Sequence, residues 1–302
     1  MKFYDEISSS DTWSEVELVN KGWSNDAKYH IQTIDGKELL LRVSDIAKYD
    51  LKKKEFENMK SLSQMNIFMS YPLEFGVCNG GKSVYLLLTW IEGEDAEIAI
   101  KRMNYKTQYD FGFKAGQYLQ QIHKLPAPNG QLDWADKFNA KIDRNIQNYI
   151  LSGIKMSEAN KLIDYINNNR DLLKDRPQCC QHGDYHTGNM LITHRGKLGI
   201  IDFNRWDYGD PWEEFNRIVW CVRTSKSFAS GYINGYFNNN APDLFFRLMA
   251  LYIAANQLAS IPWAIKFGQD EIDVMVSLAN DVSRWYEDFK EYVPNWYLRN
   301  KS

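Results

Sequence analysis

Asp184 is followed five residues later by Asn189 and thirteen after that by Asp202. A carboxylate to orient a hydroxyl and accept its proton, with an amide and a second carboxylate to hold Mg²⁺ across nucleotide phosphates, forms a working set for phosphoryl transfer. That reaction asks the protein chiefly for positioning and charge neutralisation. Mg²⁺ prefers hard oxygen ligands, and Asn189 and Asp202 supply them. Between them, 190–193 and 198–201 read as two short apolar strands joined by the turn His194-Arg195-Gly196-Lys197. A hairpin there brings Asn189 and Asp202 to the same end. The stretch carries a second option, because His182, Asp184 and His186 form an H-x-D-x-H run whose imidazoles and carboxylate suit zinc. The other histidines, His30, His123 and His194, offer no second ligand pair for it.

Two kinds of chain surround these residues. The first ninety residues read as β-rich: strands over 14–21 and 27–34 flank a Gly22-containing loop, and 39–43 follows the Asp35-Gly36 turn. A helix is predicted over 51–62, and the apolar run 84–89 reads as a strand that gives way at Gly93. Beyond that, helices are predicted over 109–125, 142–150, 157–168, 244–266 and 270–292. The fold class is therefore α+β, divided into domains 1–92 and 93–302. His123 falls on a helix and reads as a packed core residue.

Composition narrows the function classes. The chain has a formal net charge of −3, with 44% hydrophobic and 25% charged residues, which fits a globular protein and argues against a nucleic-acid partner. No apolar run approaches the roughly 20 residues that a membrane span needs, and the first residues do not resemble a signal peptide. The cysteines Cys78, Cys179, Cys180 and Cys221 contain no C-x-x-C pair, so a reducing cytoplasm is the expected setting.

His182-Gly183-Asp184 with Asn189, then Ile201-Asp202-Phe203, then Gly209-Asp210-Pro211 seven residues after Asp202, resemble the aminoglycoside phosphotransferase and choline kinase superfamily. These are relatives of protein kinases that phosphorylate small alcohols. The resemblance implies a bilobal, protein-kinase-like fold with a β-rich N-lobe and a mainly helical C-lobe, binding ATP or GTP with Mg²⁺ between them. It makes Asp184 the catalytic residue and Asn189 and Asp202 the metal ligands. By the same resemblance, Ser24 or a neighbouring N–H touches the β- or γ-phosphate, and adenine docks on the Thr89 carbonyl and Ile91 N–H. Protein kinases pair a third-strand Lys with a helical Glu to hold the α- and β-phosphates. Here that strand carries Arg42, whose fork can do the same electrostatic work. Register with Leu62 favours Glu55 over Glu57 as its partner. The plain alternative is that Arg42 and Lys52, Lys53 and Lys54 are ordinary solvated charges.

The acceptor must be read from the second half. Asp207, Asp210, Glu213 and Glu214, with Asp270, Glu271, Asp273, Asp281 and Glu287 further on, would draw a polycation such as an aminoglycoside to a carboxylate-lined cleft. They can equally be helix N-terminal and surface acids. Trp206, Trp212, Trp220, Trp263 and Trp285 raise the alternative of an aromatic box for choline or another amino alcohol. A sugar is a further acceptor, and a pseudokinase-like binding module is the reading from a different class. The leading expectation is an aminoglycoside-like acceptor in an antibiotic-resistance type of kinase.

Overall fold

The computed structural model describes residues 2–20 and 26–299. In chain order its elements begin with β1 (Trp13–Leu18), β2 (Ala27–Thr33), β3 (Glu38–Asp45), α1 (Tyr49–Leu62), β4 (Pro72–Cys78), β5 (Ser83–Thr89) and β6 (Glu94–Asp95). There follow α2 (Ala96–Ala99), α3 (Tyr105–Ile122), α4 (Trp134–Leu151), α5 (Ala159–Asn169) and β7 (Cys179–Gln181). The chain continues with β8 (Met190–Ile192), β9 (Leu198–Ile200), β10 (Asp207–Gly209), α6 (Ile218–Thr224), α7 (Lys226–Tyr236), α8 (Asp243–Ala264) and α9 (Gln269–Trp285). Two compact units result: Met1–Ala96 with Asn189–Asn204, and Glu97–Gly188 with Arg205–Ser302. The first therefore extends past residue 92 to Ala96 and takes in 189–204, because β8 pairs with β6 and with β9.

The first unit is built on an antiparallel five-stranded sheet of order β1-β2-β3-β5-β4. Strand side chains alternate between faces, and β3 shows the consequence. Leu39 and Leu41 enter one apolar core with Ile7, Ile31, Tyr85 and Leu87, while Arg42 and Ser44 are buried polar residues of the opposite parity. Helix α1 buries Lys52, Glu55, Asn58, Met59 and Leu62, a helical face that carries two charges inward. Strand β4 lies outside the strands expected from the sequence; Pro72 opens it and Gly76 interrupts its pattern. A Cβ at Gly76 would come within 2.9 Å of the Tyr85 ring, so the gap in the pattern is filled by a cross-strand aromatic.

The 190–200 hairpin forms. Met190 pairs with Ile200 and Ile192 with Leu198, and Ile201 N donates to the Asn189 carbonyl at 3.1 Å. Its second strand docks on the first unit through Ile200 N, which donates to Phe68 O at 2.9 Å.

The second unit is mainly helical. Helices α6 and α7 lie outside the helices expected from the sequence; in α7, Gly231 and Gly235 weaken the local signal. Their value is tertiary. A Cβ at Gly231 would lie 2.2 Å from the Tyr109 carbonyl oxygen, at Gly235 1.9 Å from that of Phe113, and at Gly116 2.1 Å from that of Tyr232. Backbones of α3 and α7 thus approach as closely as side-chain-free positions permit. Around them, α4, α5, α8 and α9 share a core that includes Trp134, Phe138, Leu162, Leu251 and Leu258. One expectation is corrected here: the segment Asp243–Phe267 is long and apolar enough to cross a membrane, although 72% of its window is buried inside the protein. Its apolarity is that of a core helix.

The close crossing predicts that Gly235→Ala destabilises the protein by about 1–3 kcal/mol, the usual range for overpacking. Urea denaturation checks it, and an unchanged midpoint would mean that α3 and α7 separate freely.

Candidate active site

In the first unit a buried charge network surrounds Arg42. The side chain is 3% exposed, and its Nη2 donates to Asp26 Oδ2 at 2.8 Å while Nη1 donates to Glu55 Oε1 at 3.2 Å and Asp202 Oδ1 at 3.3 Å. Lys52, one turn before Glu55 on α1, donates to Asp26 Oδ2 at 2.7 Å and Glu55 Oε2 at 2.8 Å. Ser44 Oγ donates to the other Asp26 oxygen at 2.7 Å. Burial pushes the Asp26 carboxyl upward, but hydrogen bonding from Lys52 and the charges of Arg42 and Lys52 outweigh it and hold the group well below the usual carboxylate range. Burial likewise opposes the charge of Arg42, and Glu55, Asp202 and Asp26 together more than restore it. Arg42 and Lys52 are therefore not solvated charges.

Asp202 is the partly open member of this set, with its side chain 27% exposed. Its φ of +65° lies in the left-handed region that Asp tolerates better than most residues. The preceding amide, Ile201 N, is fixed on Asn189 O, so one hairpin end carries both Asn189 and Asp202. Two oxygen-bearing side chains fit Mg²⁺, which keeps several waters and takes phosphate oxygens in addition to one or two protein ligands. Thr89 is fastened to Tyr71 by its amide, at 2.9 Å to the carbonyl, and by its hydroxyl, which accepts from Tyr71 N at 2.8 Å. The Ile91 side chain packs on Gly199, where a Cβ would meet it at 3.0 Å. Among the described residues the Ile91 amide donates to no backbone carbonyl. Ser24 and Gly22 lie outside the described residues.

In the second unit, Asp184 faces Arg217 Nε at 3.3 Å, His186 Nε2 at 3.6 Å and Arg205 Nη1 at 3.8 Å. Burial raises its carboxyl, but the attraction of His186 and the charges of Arg217 and Arg205 prevail and hold it well below the ordinary range. The loop before it is pinned from beneath. Glu214, 2% exposed, accepts from His182 N at 2.7 Å and Gly183 N at 2.8 Å. Gly183 has φ +82°, and a Cβ there would lie 1.8 Å from the Arg205 carbonyl oxygen, so no other residue fits. His123 is indeed packed, its Nδ1 2.9 Å from Tyr236 Oη.

These contacts bear on two readings of the sequence. Among the described residues no three His, Cys, Asp or Glu side chains gather as a metal site, and two arginines beside Asp184 repel a cation, so the zinc option fails. Several of the acids after Asp202 already have partners, so these do not form a free cleft lining. Asp210 accepts from Arg176 Nε at 2.7 Å, Tyr252 Oη at 2.6 Å and Trp212 N at 2.9 Å. Glu213 meets Lys141 at 2.9 Å, Asp207 meets Lys137 at 3.2 Å and Asp281 meets Arg223 at 2.7 Å. The proposed aromatic box meets the same objection, since Trp212 already carries the Arg176 guanidinium 3.9 Å from its ring centre, and Trp212, Trp220 and Trp263 pack on the helical core.

Asp26, Lys52, Arg205 and Arg217 escaped the reading of the sequence as site residues, and Glu214 was read as an acceptor-cleft acid rather than as the anchor of the loop. Only Lys52 left a signal, three residues before Glu55 on the same helical face.

Because Arg42 is shared by three carboxylates, Arg42→Ala should destabilise the fold by about 3–5 kcal/mol, as expected when one partner of a buried pair is removed. Chemical denaturation tests this, and a loss below about 1 kcal/mol would show the network to be dispensable. Acid should expose the depressed carboxyls. A group whose folded pKa lies below its unfolded value, about 3.9 for Asp, stabilises above that value and loses the contribution as pH falls through the folded one. Asp26 and Asp184 should therefore make the melting temperature drop progressively below about pH 4; a flat curve down to about pH 2 would contradict their pairing.

Residues 15–246 match the sequence pattern of a family described as "Phosphotransferase enzyme family". No curated protein matches the chain in sequence. Among solved structures, a gentamicin complex of APH(2″)-IIa is similar with a TM-score of 0.66 at 17% identity, over 92% of this chain and 94% of that one. The GDP complex of aminoglycoside 2′-phosphotransferase-IIIa gives 0.65 at 13% identity, over 93% and 96%. The amicoumacin kinase hAmiN, in complex with AMP-PNP, Ca²⁺ and Ami, gives 0.62 at 14% identity, over 92% and 90%. At these identities the structures share the fold: α+β and protein-kinase-like, with a sheet-rich N-terminal and a helical C-terminal region. The family pattern spans well over half of the sequence, and the chain belongs to the phosphotransferase enzyme family.

Proposed function

We propose that the chain is a small-molecule kinase that transfers the γ-phosphoryl group of ATP or GTP to an alcohol hydroxyl of an aminoglycoside-like acceptor. The observation that carries this is the hairpin closed by Ile201 N on Asn189 O, which gathers two hard-oxygen side chains at one end within a chain of the phosphotransferase enzyme family. Asn189 and Asp202 would hold Mg²⁺, which when bound neutralises charge on the phosphate oxygens. Asp184 orients the acceptor hydroxyl and takes its proton. The Ile91 amide and Thr89 carbonyl take the edge of the nucleotide base. Ser24 belongs to the loop assigned to the terminal phosphates. Arg42 and Glu55 act at one remove, by fixing the position of Asp202. The donor class draws support from fold relatives whose structures are complexes with GDP and AMP-PNP. Four free, buried cysteines suit a reducing, cytoplasmic setting.

A second acceptor reading is favoured by Arg217 and Arg205 beside Asp184. Cationic groups next to the reacting hydroxyl disfavour a polycation and favour a sugar or another alcohol without net positive charge. Incubation of the full chain with Mg²⁺, labelled ATP or GTP and a panel of aminoglycosides, choline and neutral sugars separates them. Transfer to sugars alone would replace the aminoglycoside assignment, and binding of nucleotide without transfer to any alcohol would reduce the protein to a nucleotide-binding module.

The proposed roles of the two aspartates predict different losses. Asp184→Asn should lower turnover by about 10²–10⁴, the usual worth of a general base, and leave Mg-nucleotide affinity intact. Asp202→Asn should weaken both, because it removes a charged metal ligand. Near-wild-type turnover of Asp184→Asn would overturn the mechanism.

A further inference from the structure

Arginines that leave solvent in this protein do so with their forks engaged. Arg42 divides its hydrogen bonds among Asp26, Glu55 and Asp202, and Arg176 gives two to Asp210. Arg170 reaches Asn167, Asn139 and Asp143, and Arg223 reaches Asp281 and Ser277. A guanidinium is always charged and has no acceptor function of its own, so its withdrawal from water is offset only through such partners.

Arg217, in the second unit, breaks that pattern. Its side chain is 25% exposed, about as withdrawn as those of Arg170 and Arg223. Among the described residues it makes no hydrogen bond, and its Nε, shut off from solvent, has no acceptor. It meets Asp184 Oδ1 through that Nε at 3.3 Å, which leaves both Nη groups without a described partner. Arg205 approaches the other oxygen, Oδ2, with Nη1 at 3.8 Å. Two guanidinium groups thus share one carboxylate, and His186 stands 3.6 Å from it as well. The acids next to Arg217 in sequence do not redress the balance. Glu213 is taken by Lys141 at 2.9 Å, and Glu214 by the amides of His182 and Gly183. Positive charge is left in excess beside Asp184.

We propose that the acceptor carries an anionic group, a carboxylate or a phosphate, a few bonds from the hydroxyl that is phosphorylated, and that the Nη edge of Arg217, with Arg205 beside it, binds that group. This rests on the reading of the chain as a kinase with Asp184 at the acceptor hydroxyl. It narrows the second acceptor reading from alcohols without positive charge to hydroxy acids and phosphorylated polyols. The planar fork takes two oxygens of a carboxylate or phosphate side by side, so an arginine that holds Asp184 by Nε and the anion by its Nη groups sets the distance between anion and hydroxyl. In the transfer the hydroxyl oxygen bonds to the γ-phosphorus while the bond from that phosphorus to the β-bridging oxygen breaks. The nucleoside diphosphate leaves and the hydroxyl proton passes to Asp184. The anion takes no part in that exchange and serves as a handle for orientation.

Steady-state phosphorylation by the full chain with Mg-ATP or Mg-GTP tests this on matched pairs: glycerate and glycerol, gluconate and sorbitol, glucose 6-phosphate and glucose, with gentamicin as the polycation. In at least one pair, kcat/KM for the anion should exceed that for its neutral counterpart by about tenfold to a hundredfold, the usual worth of charge-assisted hydrogen bonds. The advantage should shrink as salt rises, and the carboxylate and phosphate pairs tell which anion is taken. Arg217→Ala and Arg205→Ala should reduce the ratio, chiefly by raising KM for the anion, and Arg217→Lys should keep part of it. Arg205 is the more exposed of the two, so its variant decides the matter should Arg217→Ala fail to fold. Equal use of anion and neutral counterpart, or preference for gentamicin, overturns the proposal and leaves the kinase reading standing. A fall in kcat for every acceptor at an unchanged ratio also overturns it, because the arginines would then act on Asp184 alone. Nucleotide binding without transfer to any acceptor removes the kinase reading itself, and this assignment with it.

Discussion

The guanidinium of Arg42 ties three parts of the first unit to one point: the loop residue Asp26, the helix residue Glu55 and the turn residue Asp202. Charges leave water only at a cost of several kcal/mol each, and that cost is recovered only when every partner is in place. The network therefore tolerates few intermediate arrangements. Helix α1 must lie where Lys52 and Glu55 both reach inward, and the turn at Asp202 must accept a left-handed backbone. A single buried lysine on β3 would impose fewer such conditions, because an ammonium lacks the planar fork that lets Arg42 address separate carboxylates.

The second unit uses carboxylates for a related purpose. Glu214 spans two successive amides, those of His182 and Gly183, and so replaces a strand partner for a loop that has none. Asp210 gathers Arg176, Tyr252 and the Trp212 amide. Acids that looked like an electrostatic lure in the sequence are thus structural anchors. Removal of either would leave buried donors unsatisfied, which costs more than the bond itself is worth.

Legibility followed the range of the interaction. The Asp184, Asn189 and Asp202 spacing and the hairpin within it were readable because they are local: turn chemistry and strand alternation decide them. Arg42 and Glu55 were recognisable as a pair through a known strand-to-helix pattern. Asp26 was hidden, since nothing near it in the sequence signals that Arg42, Lys52 and Ser44 will converge on it. Strand β4 was hidden by Pro72 and Gly76, and α7 by Gly231 and Gly235, whose poor local propensity is outweighed by close packing against β5 and α3 respectively. Residue charge was the least transferable clue, because an acid's role depends on whether an arginine or lysine reaches it.

The state of Asp184 bears on how a carboxylate can serve phosphoryl transfer. Two arginines and His186 keep it ionised, which makes it a weak proton acceptor in the resting protein. In a loose, largely dissociative transition state the attacking hydroxyl keeps its proton late, so early deprotonation is not required. An anion fixed in direction can align the hydroxyl by accepting its hydrogen bond and receive the proton only as bond formation acidifies the oxygen. On the proposed mechanism the arginines therefore serve orientation: they hold the carboxylate still, at the expense of basicity that the reaction needs only at its end.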